Sequence, residues 1–197
     1  MGDVQAVAGR VDGLRYVGGY LADGEQEALL ATIDGQPWRE DLRRRVQHYG
    51  YRYDYTRKRV DADLFLGPLP EWAAALGRRL HDDGYAPAVP DQMIVNEYQP
   101  GQGIAAHVDC VPCFGGTVLS VSLGSACVLT MTLPARDGQE ARREDVLLEV
   151  GSLFVLSGAA RYDWRHGIAA RKGDRWDGVV VPRGRRVSLT FRTVLID

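Results

Sequence analysis

The 197-residue chain has no apolar run near the roughly 18 residues that would span a bilayer. Its N-terminus has no basic flank followed by an apolar block, so no secretion signal is expected. Three cysteines is an odd number, which argues against a disulfide framework. These absences predict a cytoplasmic protein with no membrane partner. A net charge of −2 gives no global basic field, so any polyanion must be met by a local patch. There is no internal repeat, low-complexity tract or Pro/Ser-rich linker, and hence no boundary to place. The length suits one domain over 1–197, expected to be a monomer.

What is present divides near residue 90. Residues 14–21 predict a short strand. Asp23 with Gln26 reads as a helix cap, Leu29, Leu30 and Ile33 as the buried stripe, and Gly35 as the stop. A second helix is predicted from Pro70 to Gly84, with Trp72, Leu76 and Leu80 at i, i+4 and i+8 making a core-facing stripe. From 91 onward the pattern is short strands at 92–98, 104–109, 118–123, 126–133, 145–149, 152–157 and 186–195, broken at turns such as Pro100-Gly101, Gly124-Ser125 and Gly151. The expected class is α+β, mainly β. It is a β-sandwich or jelly roll over 91–197, with the helices of 1–90 packed on one sheet.

Between the helices lies a basic, aromatic stretch, 38–59. The run Tyr49-Gly50-Tyr51-Arg52-Tyr53-Asp54-Tyr55 alternates strictly, which as a strand or hairpin would put four tyrosines on one face. Cations such as Arg52 and Arg57 bind phosphates, and flat rings stack on bases. A tyrosine face packed on the core, with a solvated basic face, accounts for the same pattern.

His107-Val108-Asp109 puts an imidazole and a carboxylate on one side of an extended segment. That is two-thirds of a 2-His-1-carboxylate triad, which holds ferrous iron and leaves positions open. Of the four histidines, His48 and His81 have no ligand spacing. His166, 57 residues beyond Asp109 (166 − 109), is the remaining candidate. A buried histidine beside Trp164 and Ile168 is the alternative. On the last strand Arg186, Ser188, Thr190 and Arg192 share a face opposite Val187, Leu189 and Phe191. That polar face meets either water or a pocket, where a guanidinium fork would pair with a carboxylate. Cys110-Val111-Pro112-Cys113 lacks the strand–helix context of a redox motif, and Cys127 alone does not complete a zinc set.

Taken in order, Asn-x-Tyr-x-x-Gly at 96–101, His-x-Asp at 107–109, Ser-Leu-Gly at 122–124, Arg161-Tyr162, His166-Gly167-Ile168 and Arg-x-Ser-x-Thr-x-Arg at 186–192 resemble the AlkB family of iron- and 2-oxoglutarate-dependent dioxygenases. The resemblance covers about 90–195 and reaches more weakly into the Tyr-rich segment, where that family has its substrate lid. It implies a double-stranded β-helix. It implies iron bound by His107, Asp109 and His166, and 2-oxoglutarate contacted by Asn96, Tyr98, Arg186, Ser188 and Arg192. O2 would be the co-substrate, and ascorbate a reductant. Substrate contacts would come from Tyr49, Tyr51, Tyr53, Tyr55, Arg52 and Arg57, and the partner would be DNA or RNA, single-stranded or with a flipped base. The implied activity is oxidative demethylation of alkylated nucleobases, releasing formaldehyde and succinate. The same chemistry on a protein or small molecule is a second reading, and a non-catalytic jelly-roll binding module a third. Where some members place an acidic base-reader after His-x-Asp, this chain has Cys110-Val111.

Overall fold

The computed structural model describes residues 7–40, 42–136, 138 and 140–196. In chain order the strands are β1 Leu14–Val17, β2 Val46–Tyr49, β3 Gln92–Tyr98, β4 Ile104–His107, β5 Phe114–Leu123, β6 Cys127–Leu133, β7 Arg142–Leu148, β8 Leu153–Leu156, β9 Arg165–Ile168, β10 Gly173–Trp176, β11 Val179–Pro182 and β12 Arg186–Val194. The helices are α1 Asp23–Asp34, α2 Glu71–Asp82 and the short α3 Gly158–Tyr162. The strands make a six-stranded sheet, β1-β8-β5-β12-β3-β2, and a four-stranded sheet, β4-β9-β6-β7, with β10-β11 as a separate ribbon. Every pairing is antiparallel, and the arrangement is a jelly roll.

Two cores follow from the alternation along β12. Val187, Leu189 and Phe191 pack with Met93 and Val95 of β3, Val121 of β5, Val155 of β8, and the helix residues Ile33, Leu76 and Leu80. The second core lies between the sheets, where Val118, Phe154 and Leu156 meet Leu129, Met131, Val146 and Leu148. The polar face of β12 therefore turns inward, toward the four-stranded sheet.

Several boundaries differ from expectation. β1 ends at Val17, before Gly18-Gly19, and β5 starts four residues earlier than predicted, at Phe114. Asp23, expected as the cap of α1, is its first residue; the cap is Ala22, whose N–H donates to the Glu25 carboxylate at 3.0 Å in place of the expected Gln26. Gln26 is buried and donates to the Leu21 carbonyl. Pro70 caps α2, and Trp72 packs on Tyr49 with ring centroids 5.4 Å apart.

Glu97 locks β3 from its helix side. Its carboxylate accepts two bonds from Arg45, at 2.6 and 2.8 Å, and one from Arg185 at 2.6 Å, while Arg185 also pairs with Asp34 of α1. The hydrogen bonds from Arg45, helped by Arg185 and opposed by burial, take its pKa from 4.5 to about 2. The folded chain thus holds the proton less readily than the unfolded chain. The stabilisation is complete above about pH 4.5 and is lost as pH falls through 2. Glu97→Gln should cost on the order of 3 kcal/mol at neutral pH, with the difference from wild type gone below about pH 2. Urea melts across that range check this.

Candidate metal centre and its cavity

His107 ends β4, His166 lies on β9, and the antiparallel register sets them directly opposite each other. That register closes the long gap in sequence, and the ring centroids are 4.4 Å apart. Asp109 follows just past β4. One ligand atom from each of the three lies within 4.8 Å of the others.

The donor chemistry suits a cation. His107 Nδ1 lies 2.8 Å from the Ala105 carbonyl oxygen, so Nδ1–H donates there and Nε2 keeps its lone pair for the cluster. Asp109 Oδ1 accepts from Arg192 Nη2 at 2.8 Å, whereas Oδ2, 3.7 Å from His166 Nε2, is buried without a hydrogen-bond partner. Burial would push the Asp109 carboxyl up. The Arg192 guanidinium, the two imidazoles and Arg161 together outweigh it, and the group sits well below the usual carboxylate range. Burial pushes His166 down to about 4 against the pull of Asp109. An ionised carboxylate and neutral imidazoles are the states a metal binds.

Arg161 of α3 ties the two ligand segments together. It is fully buried, and its guanidinium donates to the carbonyls of Asp109 at 3.0 Å and of Cys110, Phe114 and Gly115 at 3.3 Å each. It stands five residues before His166. Sequence reasoning finds it only as part of a motif, since nothing in its spacing shows which carbonyls it meets.

A cavity of about 650 Å³ opens beside the three residues, and Asn96, Tyr98, Arg186, Ser188 and Arg192 all line it. The β3–β12 register pairs Arg186 with Tyr98 and Ser188 with Asn96, so the alternating polar face becomes one wall. Arg186 is 4% exposed. Its Nη2 donates to Ser122 Oγ at 2.9 Å, its Nε has no partner, and no acidic group pairs with it among the described residues. A buried guanidinium without an anion is costly, and a carboxylate would relieve it. Ser188 Oγ is already 2.9 Å from Ser120 Oγ, and Asn96 Oδ1 accepts from Arg44 Nε at 2.9 Å. Bare Oδ2 and unpaired Arg186 are what ferrous iron and a keto-diacid would satisfy.

The tyrosines do not share a face. Gly50 takes a positive φ of 76°, which breaks the alternation. Tyr49 goes to the helix-side core, and Tyr51 packs on Phe65 at 4.9 Å. Tyr53 and Tyr55, edge to face at 5.0 Å, line the cavity. Arg52 and Arg57 are outside its wall, and Arg57 pairs with Asp54. Arg44 and Lys58 line it instead, although neither stands out within the basic stretch. Cys110 and Cys113 are joined in a disulfide, contrary to expectation. The 110–113 turn, closed by Cys113 N–H on the Cys110 carbonyl, brings their Cα atoms to 5.3 Å. Cys127 is free and buried in the core.

Residues 13–192 match the family model of the 2OG-Fe(II) oxygenase superfamily. The chain belongs to that superfamily. Its relatives are AlkB-like. It is 35% identical to the mouse tRNA (carboxymethyluridine(34)-5-O)-methyltransferase ALKBH8 over 92% of its own length and 30% of that protein's. It is 28% identical to a Caenorhabditis elegans DNA N6-methyl adenine demethylase, covering 95% of this chain and 62% of the other. The chain thus spans under a third of the first relative and under two-thirds of the second. The solved structure of OsALKBH1 superposes with a TM-score of 0.61 at 21% identity, over 92% of this chain and 96% of that one, which speaks for the fold. Members of this superfamily are 2-oxoglutarate-dependent dioxygenases that use Fe(II), 2-oxoglutarate and O2. No helix among the described residues of this AlkB-like chain is long and apolar enough to cross a membrane.

Proposed function

We propose that this AlkB-like oxygenase removes an alkyl group from a nucleobase of DNA or RNA by oxidising it. His107, Asp109 and His166 would hold the iron. Arg186 would grip the far carboxylate of 2-oxoglutarate, with Tyr98 and Asn96 beside it. The bound cofactors supply the oxidation: one oxygen atom of O2 enters succinate as 2-oxoglutarate loses carbon dioxide, and the other enters the substrate C–H bond. An N-methyl group so hydroxylated then breaks its C–N bond, releasing formaldehyde and returning a proton to the base nitrogen.

The observation that carries this reading is the lid. Tyr53 and Tyr55 line the cavity together with Arg44 and Lys58. Rings suit an unstacked base, and cationic donors suit the acceptor atoms on its edge. A base leaves its stack at a cost of a few kcal/mol, least in a single strand, so single-stranded substrates should react best. Formaldehyde release from methylated single- and double-stranded DNA and RNA, with iron and 2-oxoglutarate present, tests the proposal. Release that tracks the methylated strand supports it. Turnover of 2-oxoglutarate that ignores every oligonucleotide and responds to a small molecule contradicts it.

A further inference from the structure

We infer that the alkylated base accepted here is electrically neutral, in contrast to the cationic bases that arise when a ring nitrogen of adenine or cytosine is methylated. The inference rests on the nucleic-acid reading above and goes beyond it to the charge of the substrate.

The charges of the cavity wall carry it. Among the described residues its acidic lining is Asp109 alone. One oxygen of that carboxylate is held by Arg192, and the other faces His166 in the metal cluster. Among the described lining residues nothing acidic is left to meet a base. The cations in the wall are Arg44, Lys58, Arg186 and Arg192. Arg192 is engaged by Asp109 and Gln92, and Arg186 stands against Ser122 and Tyr98, where a diacid would neutralise it. Arg44 and Lys58 remain. Arg44 donates to a neutral group, Asn96, and neither cation has an acidic partner among the described residues.

Asp54 and Asp61 are turned to other work. Asp54 accepts the backbone N–H groups of Thr56 and Arg57, both at 2.9 Å, and Asp61 pairs with Arg59 at 2.7 Å. Neither lines the cavity. A divalent metal and a doubly charged diacid cancel each other and Asp109 offsets only one of Arg186 and Arg192, so loading the site leaves the described wall of the cavity positive. A cationic base would enter against two like charges, whereas a neutral base offers ring carbonyls and nitrogens as acceptors. Stacking on Tyr53 and Tyr55 is open to every base and does not discriminate.

The test uses the full chain with iron and 2-oxoglutarate and four single-stranded oligonucleotides of one sequence. Two carry a neutral modified base, N6-methyladenine or 3-methyluracil, and two a cationic one, 1-methyladenine or 3-methylcytosine. At least one neutral base should exceed both cationic ones in kcat/KM by about tenfold or more, since like-charge contacts are strongly disfavoured. Lys58 has a positive φ of 52°, which Asn and Asp tolerate better than most residues. Lys58→Asp should therefore narrow the gap by about tenfold, and Lys58→Asn by less. Cationic bases oxidised as well as neutral ones, or a gap that Lys58→Asp leaves untouched, would overturn the inference while leaving the nucleic-acid reading intact. If no oligonucleotide is oxidised, both fall.

Discussion

His166→Ala should leave a folded chain that no longer retains iron. The imidazole is one of three converging ligand groups, and its Nδ1 has no hydrogen-bond partner whose loss would disturb the surroundings. Removing an outer hydrogen-bond partner of a metal ligand typically costs about 10–100-fold in affinity, and losing the ligand itself should exceed that. Turnover of 2-oxoglutarate should fall to background in the same variant, with the thermal transition of metal-free protein little changed. Asp109→Ala should behave differently. It also strips Arg192 of its carboxylate, and breaking a buried ion pair on one side costs about 3–5 kcal/mol. That variant should lose stability as well as metal. Metal titration and melting of both variants check the contrast.

Arg186→Met should separate cofactor binding from stability, with opposite signs. If Arg186 grips 2-oxoglutarate as proposed, the variant loses a buried, charge-assisted contact worth about 2–4 kcal/mol, so KM for 2-oxoglutarate should rise by roughly 30- to 1,000-fold. Without it, the wild-type chain holds a guanidinium 4% exposed with no anion, and the apolar replacement should be neutral or stabilising. A wild-type melting temperature that rises with added 2-oxoglutarate, and a variant whose temperature does not, would be the signature.

Much of this site can be read from sequence because strand alternation is a local rule. The faces of β12 follow from period two, and Arg186, Ser188 and Arg192 line the cavity as that period requires. The meeting of His166 with His107 is not local. It depends on the register of β9 against β4, which spacing alone does not supply. The Tyr-rich run shows where the rule fails: at Gly50 one residue with positive φ sends Tyr49 to one core and Tyr53 to the cavity. Strands β9, β10 and β11 also lie outside the strands read from the sequence. The disulfide escapes it because a count of three cysteines says nothing about a turn that brings two of them together.

The central claim is the ligand set, and X-ray absorption of the iron-loaded chain under anaerobic conditions tests it most directly. Binding by His107, Asp109 and His166 should give one iron per chain with two imidazole nitrogens and carboxylate oxygen at about 2 Å, and no sulfur. A sulfur neighbour, or an iron environment that His166→Ala leaves unchanged, would contradict it.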